Sequence, residues 1–409
     1  MNLVVIGAQW GDEGKGKIVD FLAQDSDLVV RFSGGANAGH TIVVGEETYK
    51  LHLIPSGIVY PDKKVLLGAG MVVDVQSLFA ELEELSRQGL AWQGRVFLSD
   101  RAHLVLPDYK DEDRELEGRR FNPIGTTGRG IGVTFAHKAH RNGIRVVDLF
   151  DSELWARMPE SYRSFLEDYR ERLNGMRVNQ AAFMADFRNK KILLEGSQGV
   201  LLDLDWGTYP FVSSGYSTAA GACQGGGLGP GRIDRVLGVF KAYSTRVGNG
   251  PFPSEFTEGR DGDLGNRIRE LGREYGVTTG RPRRTGYLDL TALRYACRVS
   301  GIDSLVLTHI DVYDGFDEIK VCTAYRFRGE ELTDFPSSTE VLEKAEPVLK
   351  GFPGWKTRLA SSRTYEELPP QARSYIQFIE DYCETPVDVI SVGYRRKETF
   401  IRRPLWTRS

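Results

Sequence analysis

An apolar run, Leu3-Val4-Val5-Ile6, leads into Gly7-Ala8-Gln9-Trp10-Gly11-Asp12-Glu13-Gly14-Lys15-Gly16-Lys17, and a helix-like start, Ile18-Val19-Asp20-Phe21-Leu22, follows it directly. A strand that turns through glycines into a helix is a phosphate loop, because the glycines let backbone N–H groups approach an anion at a helix start. Gly11, Gly16 and Lys17 keep nucleotide P-loop spacing, yet Ile18 stands where a Ser or Thr would reach magnesium, and an acid, Asp12, sits inside the loop. A bare carboxylate about 4 Å from a phosphate oxygen costs about 4 kcal/mol at an effective dielectric near 20. Asp12 is therefore expected to have a magnesium ion beside it or a proton to move.

The same strand and helix alternation continues along the chain. Leu28–Phe32, Lys64–Leu67, Arg95–Leu98, Lys191–Leu194, Ser304–Leu307 and Val387–Ile390 read as short strands, and Leu78, Leu82 and Leu85 before Gly89 mark a helix between two of them. This pattern predicts an α/β fold: a large, mostly parallel central sheet with helices on both faces and ligands at the strand ends. The expectation is one α/β unit over residues 1–409, with a helix-rich insertion at about 100–190 and a peripheral segment of turns and short helices at about 337–371. Within the insertion, Ser152 is the expected cap, Tyr162, Phe165, Tyr169 and Leu173 form an apolar stripe, and Asn174-Gly175 ends the helix. Ile376, Ile379 and Cys383 mark a late helix face.

Composition limits the functional classes. A net charge of −3 over 409 residues gives no electrostatic footprint for nucleic acid or an anionic membrane. Cys223, Cys297, Cys322 and Cys383 are widely spaced and follow no zinc or redox pattern, which suits structural thiols in a reducing compartment. No apolar run approaches the roughly 18 residues of a membrane span, and residue 1 leads straight into a strand, so a cytoplasmic location is expected.

Further glycine-rich stretches hold candidate binding groups. In Ser33–Thr41, small residues leave room for a ligand and His40 ends the run as a donor candidate, whereas His52 and His103 alternate with leucines and read as structural. Gly125–Gly132 carries hydroxyls and Arg129, with Arg141 and Arg145 nearby, and fits an anion. Gln198 follows a strand directly, where its amide can read a purine edge. Thr278–Thr285 sets three arginines in a Gly/Pro loop suited to carboxylate capture. Asp311 lies just beyond a strand end, and a carboxylate there can accept from both N1–H and the 2-amino group of guanine, a pair of donors that adenine lacks.

The run Gln9-Trp10-Gly11-Asp12-Glu13-Gly14-Lys15-Gly16-Lys17 resembles the signature of the adenylosuccinate synthetases, and the resemblance covers nearly the whole chain. It implies a GTP-dependent ligase of AMP biosynthesis that joins IMP to L-aspartate through 6-phosphoryl-IMP, with one Mg2+ per subunit in a cytoplasmic homodimer. By position it makes Asp12 the base and a magnesium ligand, the Gly39 backbone the second ligand, His40 the acid, and Lys15 and Gln198 further catalytic groups. For GTP it implies Gly11, Asp12, Glu13, Gly14, Lys15, Gly16, Lys17, Gly39, His40 and Thr41, with guanine held at His309, Ile310, Asp311, Ser391, Val392 and Gly393. For IMP it implies Asp12, Glu13, Gly14, Lys15, Asn37, Ala38, Gly39, His40, Thr127, Gln198, Ser213 and Arg281, with Arg141 reaching in from the partner subunit. Val277, Thr278, Thr279, Gly280, Arg281, Pro282 and Arg283 match the aspartate loop. The chain departs from the family pattern at His309, usually Lys; at Pro282, inside an arginine run; at Tyr394, commonly Pro; and mildly at Ser213, usually Thr.

Two other classes share single features. A switch GTPase or other P-loop phosphotransferase would have a Ser or Thr at the position of Ile18, and a dinucleotide oxidoreductase would need Gly where Gly14-Lys15-Gly16-Lys17-Ile18-Val19 ends in Val19.

Overall fold

The computed structural model describes residues 1–37, 39–44, 47–276, 280 and 282–407. Ten strands build the central sheet: β1 (Asn2–Gly7), β2 (Leu28–Arg31), β3 (Lys64–Leu67), β4 (Val96–Ser99), β5 (Arg177–Val178), β6 (Ile192–Gly199), β7 (Arg235–Lys241), β8 (Ser304–Thr308), β9 (Val387–Ser391) and β10 (Thr399–Ile401). Their order is β10-β9-β8-β7-β1-β6-β2-β3-β4-β5. The pairs β6–β2, β2–β3, β3–β4, β4–β5, β7–β8 and β8–β9 are parallel, and the edge pair β9–β10 is antiparallel. Strands buried on both faces must be continuously apolar. Leu3 to Ile6, Leu28 to Val30 and Leu305 to Leu307 are all fully buried, as that requires. The expected mostly parallel α/β architecture is thus the observed one.

By contacts the chain forms two compact units. The first comprises Met1–Val5, Gly16–Ser197 and Ser213–Asp234; the second comprises Ile6–Lys15, Gln198–Val212 and Arg235–Ser409. In the first, helix α1 (Lys15–Ala23), which begins with the last residue of the second unit, follows the glycine loop, and α2 (Val75–Arg87) buries Leu78, Leu82 and Leu85. Asp74 caps α2 by accepting from the N–H groups of Gln76 and Ser77. Residues 100–190 hold α3 (Pro107–Arg119), α4 (Ile131–His140), α5 (Ser152–Arg157), α6 (Glu160–Asn174) and α7 (Gln180–Asp186). The apolar stripe on α6 packs as expected, with Tyr169 stacked on Phe79 at 5.6 Å and Leu173 fully buried. The cap of α5 is Asp151 and not Ser152: its carboxylate accepts from Glu153 N and Leu154 N, each over 3.0 Å.

The second unit carries a smaller sheet in which the strand Glu318–Phe327 pairs with Leu288–Asp289, Glu330–Leu332 and Glu346–Pro353. The polar 337–371 stretch therefore contains an eight-residue strand, Glu346–Pro353, beside the short helix Thr339–Lys344. Its antiparallel position leaves most of its residues partly or fully exposed, which is why its composition resembles a loop. Helix α8 (Pro370–Cys383) buries Ile376, Ile379 and Cys383. Among the described residues no helix is long and apolar enough to cross a membrane, and all four cysteines are free thiols.

Candidate active site

In the second unit the glycine loop connects the end of β1 to Lys15, and its two neighbouring acids have opposite settings. Glu13 is fully buried, and its carboxylate accepts from Gln9 N (3.1 Å), Gly11 N (2.8 Å) and Lys15 Nζ (2.6 Å). It works as an internal anion that orders the loop from within. Glycine is required around it, since a Cβ on Gly7 would fall 2.3 Å from that carboxylate and one on Gly199 would fall 2.2 Å from Gln9 O. The Glu13 side chain is thus taken up by the loop itself, and Lys15, expected against phosphate, is paired with Glu13.

Asp12 is exposed and takes a left-handed φ of 58°, a conformation uncommon outside glycine but tolerated by Asp. Its Oδ2 lies 2.9 Å from Arg283 Nε. Arg283 also donates through Nη1 to Glu274 over 2.9 Å, and Glu274 accepts from Tyr243 OH over 2.6 Å and from Lys241 Nζ. Burial alone would raise the Glu274 carboxyl, but Lys241, His309 and Tyr243 bring it down to about 2. Burial and the adjacent Glu274 charge together push the Tyr243 hydroxyl well up. In the arginine-rich loop at 277–283, Gly280 and Pro282 are exposed, while Val277, Thr278, Thr279 and Arg281 lie outside the described residues.

Gln198 falls within the last residues of β6, not beyond it as the sequence suggests. It has φ 56°, and its buried Nε2 has no partner among the described residues. A strained backbone presenting an unsatisfied amide suits a ligand that supplies the missing acceptor. At the guanine candidates, β8 and β9 run parallel with a register shift between Leu305 and Val306, Leu307 lying opposite Ile390, so both strands end at the same edge of the sheet. His309 (φ 57°) turns the chain into the short 3-10 helix Ile310–Tyr313 that carries Asp311, and its ring meets Tyr243 edge-on at 5.9 Å. Ser391 Oγ donates to Gly393 O over 3.0 Å, and Ile310 and Val392 are fully buried.

In the first unit, Gly16 and Lys17 lie in the N-terminal turn of α1. A Cβ on Gly16 would fall 2.8 Å from the His40 Cβ, so that glycine is what lets His40 lie against the helix start. The donor candidate His40 is held by neighbours: its Nε2 is 2.9 Å from Ser56 Oγ and 3.3 Å from the buried Glu195 Oε1. Ser56 donates to Glu195 through both N (2.9 Å) and Oγ (3.0 Å). Buried Arg31 reaches Ser197 Oγ (3.1 Å), Gly35 O (3.0 Å) and His52 O, and so shapes the Ser33–Thr41 stretch. Gly39 and Thr41 are exposed, Asn37 has a buried Oδ1 without a partner among the described residues, and Ala38 lies outside them.

The 125–130 loop is tied down by α3, where Asp113 accepts from Thr126 Oγ1 (3.1 Å) and Gly130 N (2.9 Å) and Glu117 accepts from Gly125 N (2.6 Å). Thr127 is left exposed, and Arg129 donates to Ala36 O over 2.6 Å. Arg141 caps α4 with φ 67°, its exposed guanidinium without a partner among the described residues, whereas Arg145 is held by Asp148 at 2.8 Å. Ser213 is half-buried. Sequence reasoning missed Glu195, Ser56, Lys241, Tyr243 and Glu274. A signal existed for two of them, because Glu195 and Lys241 each continue a fully apolar run, and a charge there needs a buried partner.

A strand-to-helix phosphate loop, an unsatisfied amide at a strand end and carboxylates facing an arginine on a mostly parallel sheet define a nucleotide-dependent α/β enzyme. Residues 4–400 match the family model of adenylosuccinate synthetase. The chain is 46% identical to the adenylosuccinate synthetase of Desulforamulus reducens, over 99% of both chains, and 46% identical to that of Moorella thermoacetica, over 98% of both. A fully ligated adenylosuccinate synthetase structure from Plasmodium falciparum superposes with a TM-score of 0.91 at 38% identity, over 98% of this chain and 99% of that one. A cyanophage S-2L succinoaminodeoxyadenylate synthetase, at 21% identity and a TM-score of 0.64, shares the fold. The chain belongs to the adenylosuccinate synthetase family. It is a GTP-dependent ligase that joins IMP and L-aspartate to give adenylosuccinate in AMP biosynthesis.

Proposed function

We propose that Asp12 is the base that removes the N1 proton of IMP. The observation that carries this is the division of labour between adjacent acids: Glu13 is buried and saturated with loop donors, while Asp12 is exposed and held from one side by Arg283. Deprotonation at N1 makes O6 a nucleophile, which bonds to the γ-phosphorus of GTP as the bond to the β–γ bridging oxygen breaks, releasing GDP. The 6-phosphoryl-IMP so formed has phosphate as a leaving group at C6. The aspartate amine bonds to C6, phosphate departs, and the amine gives up a proton.

His40, buttressed by Ser56 and Glu195, donates to the transferring phosphoryl oxygens. The α1 N-terminus and Lys15, once it leaves Glu13, hold GTP phosphates. Asn37, Thr127, Gln198, Ser213 and Arg281 bind IMP; the unpartnered Asn37 Oδ1 and Gln198 Nε2 support the first and third of these. The 277–283 loop takes aspartate, and His309 to Asp311 with Ser391 to Gly393 take guanine. Arg141 acts across a homodimer interface, and the enzyme works in the cytoplasm.

The donor set suits magnesium, which is held by one or two carboxylates with phosphates and waters completing an octahedron. Asp12 and the Gly39 carbonyl are the protein ligands in this reading, and among the described residues no cluster of three His, Cys, Asp or Glu side chains offers an all-protein cage. When bound, the ion offsets charge on phosphate oxygens.

The test is Asp12→Asn, assayed for phosphate release and purine absorbance with GTP, IMP and aspartate. Turnover should fall by about three orders of magnitude or more while GTP binding persists, since an amide cannot take the proton. Near-native kcat would remove Asp12 from this role.

A further inference from the structure

Glu274 closes the base of the aspartate loop. Arg283 N donates to Glu274 O over 2.9 Å, Tyr275 and Pro282 form an antiparallel bridge one step further in, and Gly280 N donates to Gly276 O over 2.8 Å. The side chains repeat the backbone pairing. Arg283 Nη1 donates to Glu274 Oε2 over 2.9 Å while Arg283 Nε lies 2.9 Å from Asp12 Oδ2, so one guanidinium spans two carboxylates.

Those carboxylates grip it unequally. The Glu274 side chain is 1% exposed and Asp12 is 37% exposed. An exposed pair holds a long, flexible side chain weakly, whereas a desolvated carboxylate with its other oxygen already occupied fixes one firmly. The other Glu274 oxygen is occupied by Tyr243 OH and by Lys241, which is itself 1% exposed and also donates to Thr245 Oγ1 over 2.9 Å. Glu274 is therefore the fixed end and Asp12 the adjustable one.

We infer that Glu274 is a positioning residue that holds Arg283 against Asp12 and thereby couples the placement of the 277–283 loop to the setting of the base. The inference rests on the reading of Asp12 as base and of this loop as the aspartate site. Removing the Glu274 charge should then affect turnover and aspartate capture together and leave GTP alone. A residue that merely balanced buried Lys241 would behave differently, because its loss could be cured by removing Lys241 as well.

The experiment compares Glu274→Gln, Lys241→Met, the double variant and Glu274→Asp, measuring kcat and all three KM values. Glu274→Gln should lower kcat and raise the aspartate KM, each about tenfold, with the GTP KM within about twofold. The double variant should keep both defects. Glu274→Asp retains the charge beside Lys241 but shortens the reach to Arg283, so it should show the same pattern even if Glu274→Gln fails to fold. In an Arg283→Leu background, Glu274→Gln should add little further loss, since both changes remove one interaction. Recovery of near-native kinetics in the double variant, or a uniform rise of all three KM values in Glu274→Asp, would overturn the inference. Asp12→Asn, run alongside, separates the two levels: retained turnover there sinks the base assignment itself, while an inactive Asp12→Asn with native-like Glu274→Gln and Glu274→Asp sinks only the role of Glu274.

Discussion

His40 Nε2 lies 3.3 Å from Glu195 Oε1, and Ser56 donates to both Glu195 oxygens in the same cluster. A buried carboxylate set this way fixes the ring's orientation and stabilises the form that donates a hydrogen bond. Glu195→Gln keeps the acceptor for Ser56 but loses the charge behind His40. It should lower kcat by about ten- to a hundredfold with only a small change in GTP KM. Steady-state kinetics decide the matter, and a variant altered mainly in GTP KM would reassign the cluster to nucleotide binding.

How much was legible beforehand follows from where each element sits. Lys64–Leu67 matches its sequence expectation to the residue, because a central parallel strand shows a continuous apolar run. Glu318–Phe327 and Glu346–Pro353 form half-exposed antiparallel partners, and their polar outward residues mask the strand period. Asp12, His40 and Gln198 stand out because glycine runs or a strand end frame them. Glu195 continues a buried strand and Glu274 makes its contacts through a hairpin neck whose pairing no local pattern announces. Partners of this kind are set by tertiary packing.

The Glu274 network also makes a prediction for acid stability. Its folded carboxyl is brought down to about 2 against an ordinary value of 4.5. The unfolded chain therefore takes up the proton first as pH falls: the contribution is complete above about pH 4.5 and lost progressively toward about pH 2, and its size is of order a few kcal/mol. Urea unfolding near pH 7 and near pH 3.5 should show the native protein losing more stability on acidification than Glu274→Gln does. Equal losses in the two proteins would mean that this carboxylate is not linked to folding.

Asp311 lies in the 3-10 turn after β8, whose parallel neighbour β9 ends at Ser391, just before Val392 and Gly393. A carboxylate facing guanine accepts two donors, and exchange for an amide replaces one acceptor with a donor and removes the charge. Asp311→Asn should weaken GTP by roughly a hundredfold while ATP, poorly used at the outset, changes little. Competition binding with both nucleotides gives the comparison, and equal losses for GTP and ATP would displace Asp311 from the base.

Arg141 is the C-cap of α4 in a left-handed conformation, and its exposed guanidinium is unpaired among the described residues, unlike Arg145, which Asp148 holds. An arginine displayed on a rigid cap with no partner of its own suits a phosphate brought by another molecule, and the proposed role places it on the IMP phosphate of the neighbouring subunit. A bidentate charged pair contributes about 1.5 to 3 kcal/mol, so Arg141→Leu should raise the IMP KM by about ten- to a hundredfold with a smaller change in kcat. If the arginine acts across the interface, every site needs two chains. Mixing Asp12→Asn subunits, inactive through the base, with Arg141→Leu subunits should then restore activity, because a hybrid dimer has one site in which both residues are native. Native mass spectrometry reports whether hybrids have formed. Hybrids present without recovered activity would place Arg141 in the site of its own subunit.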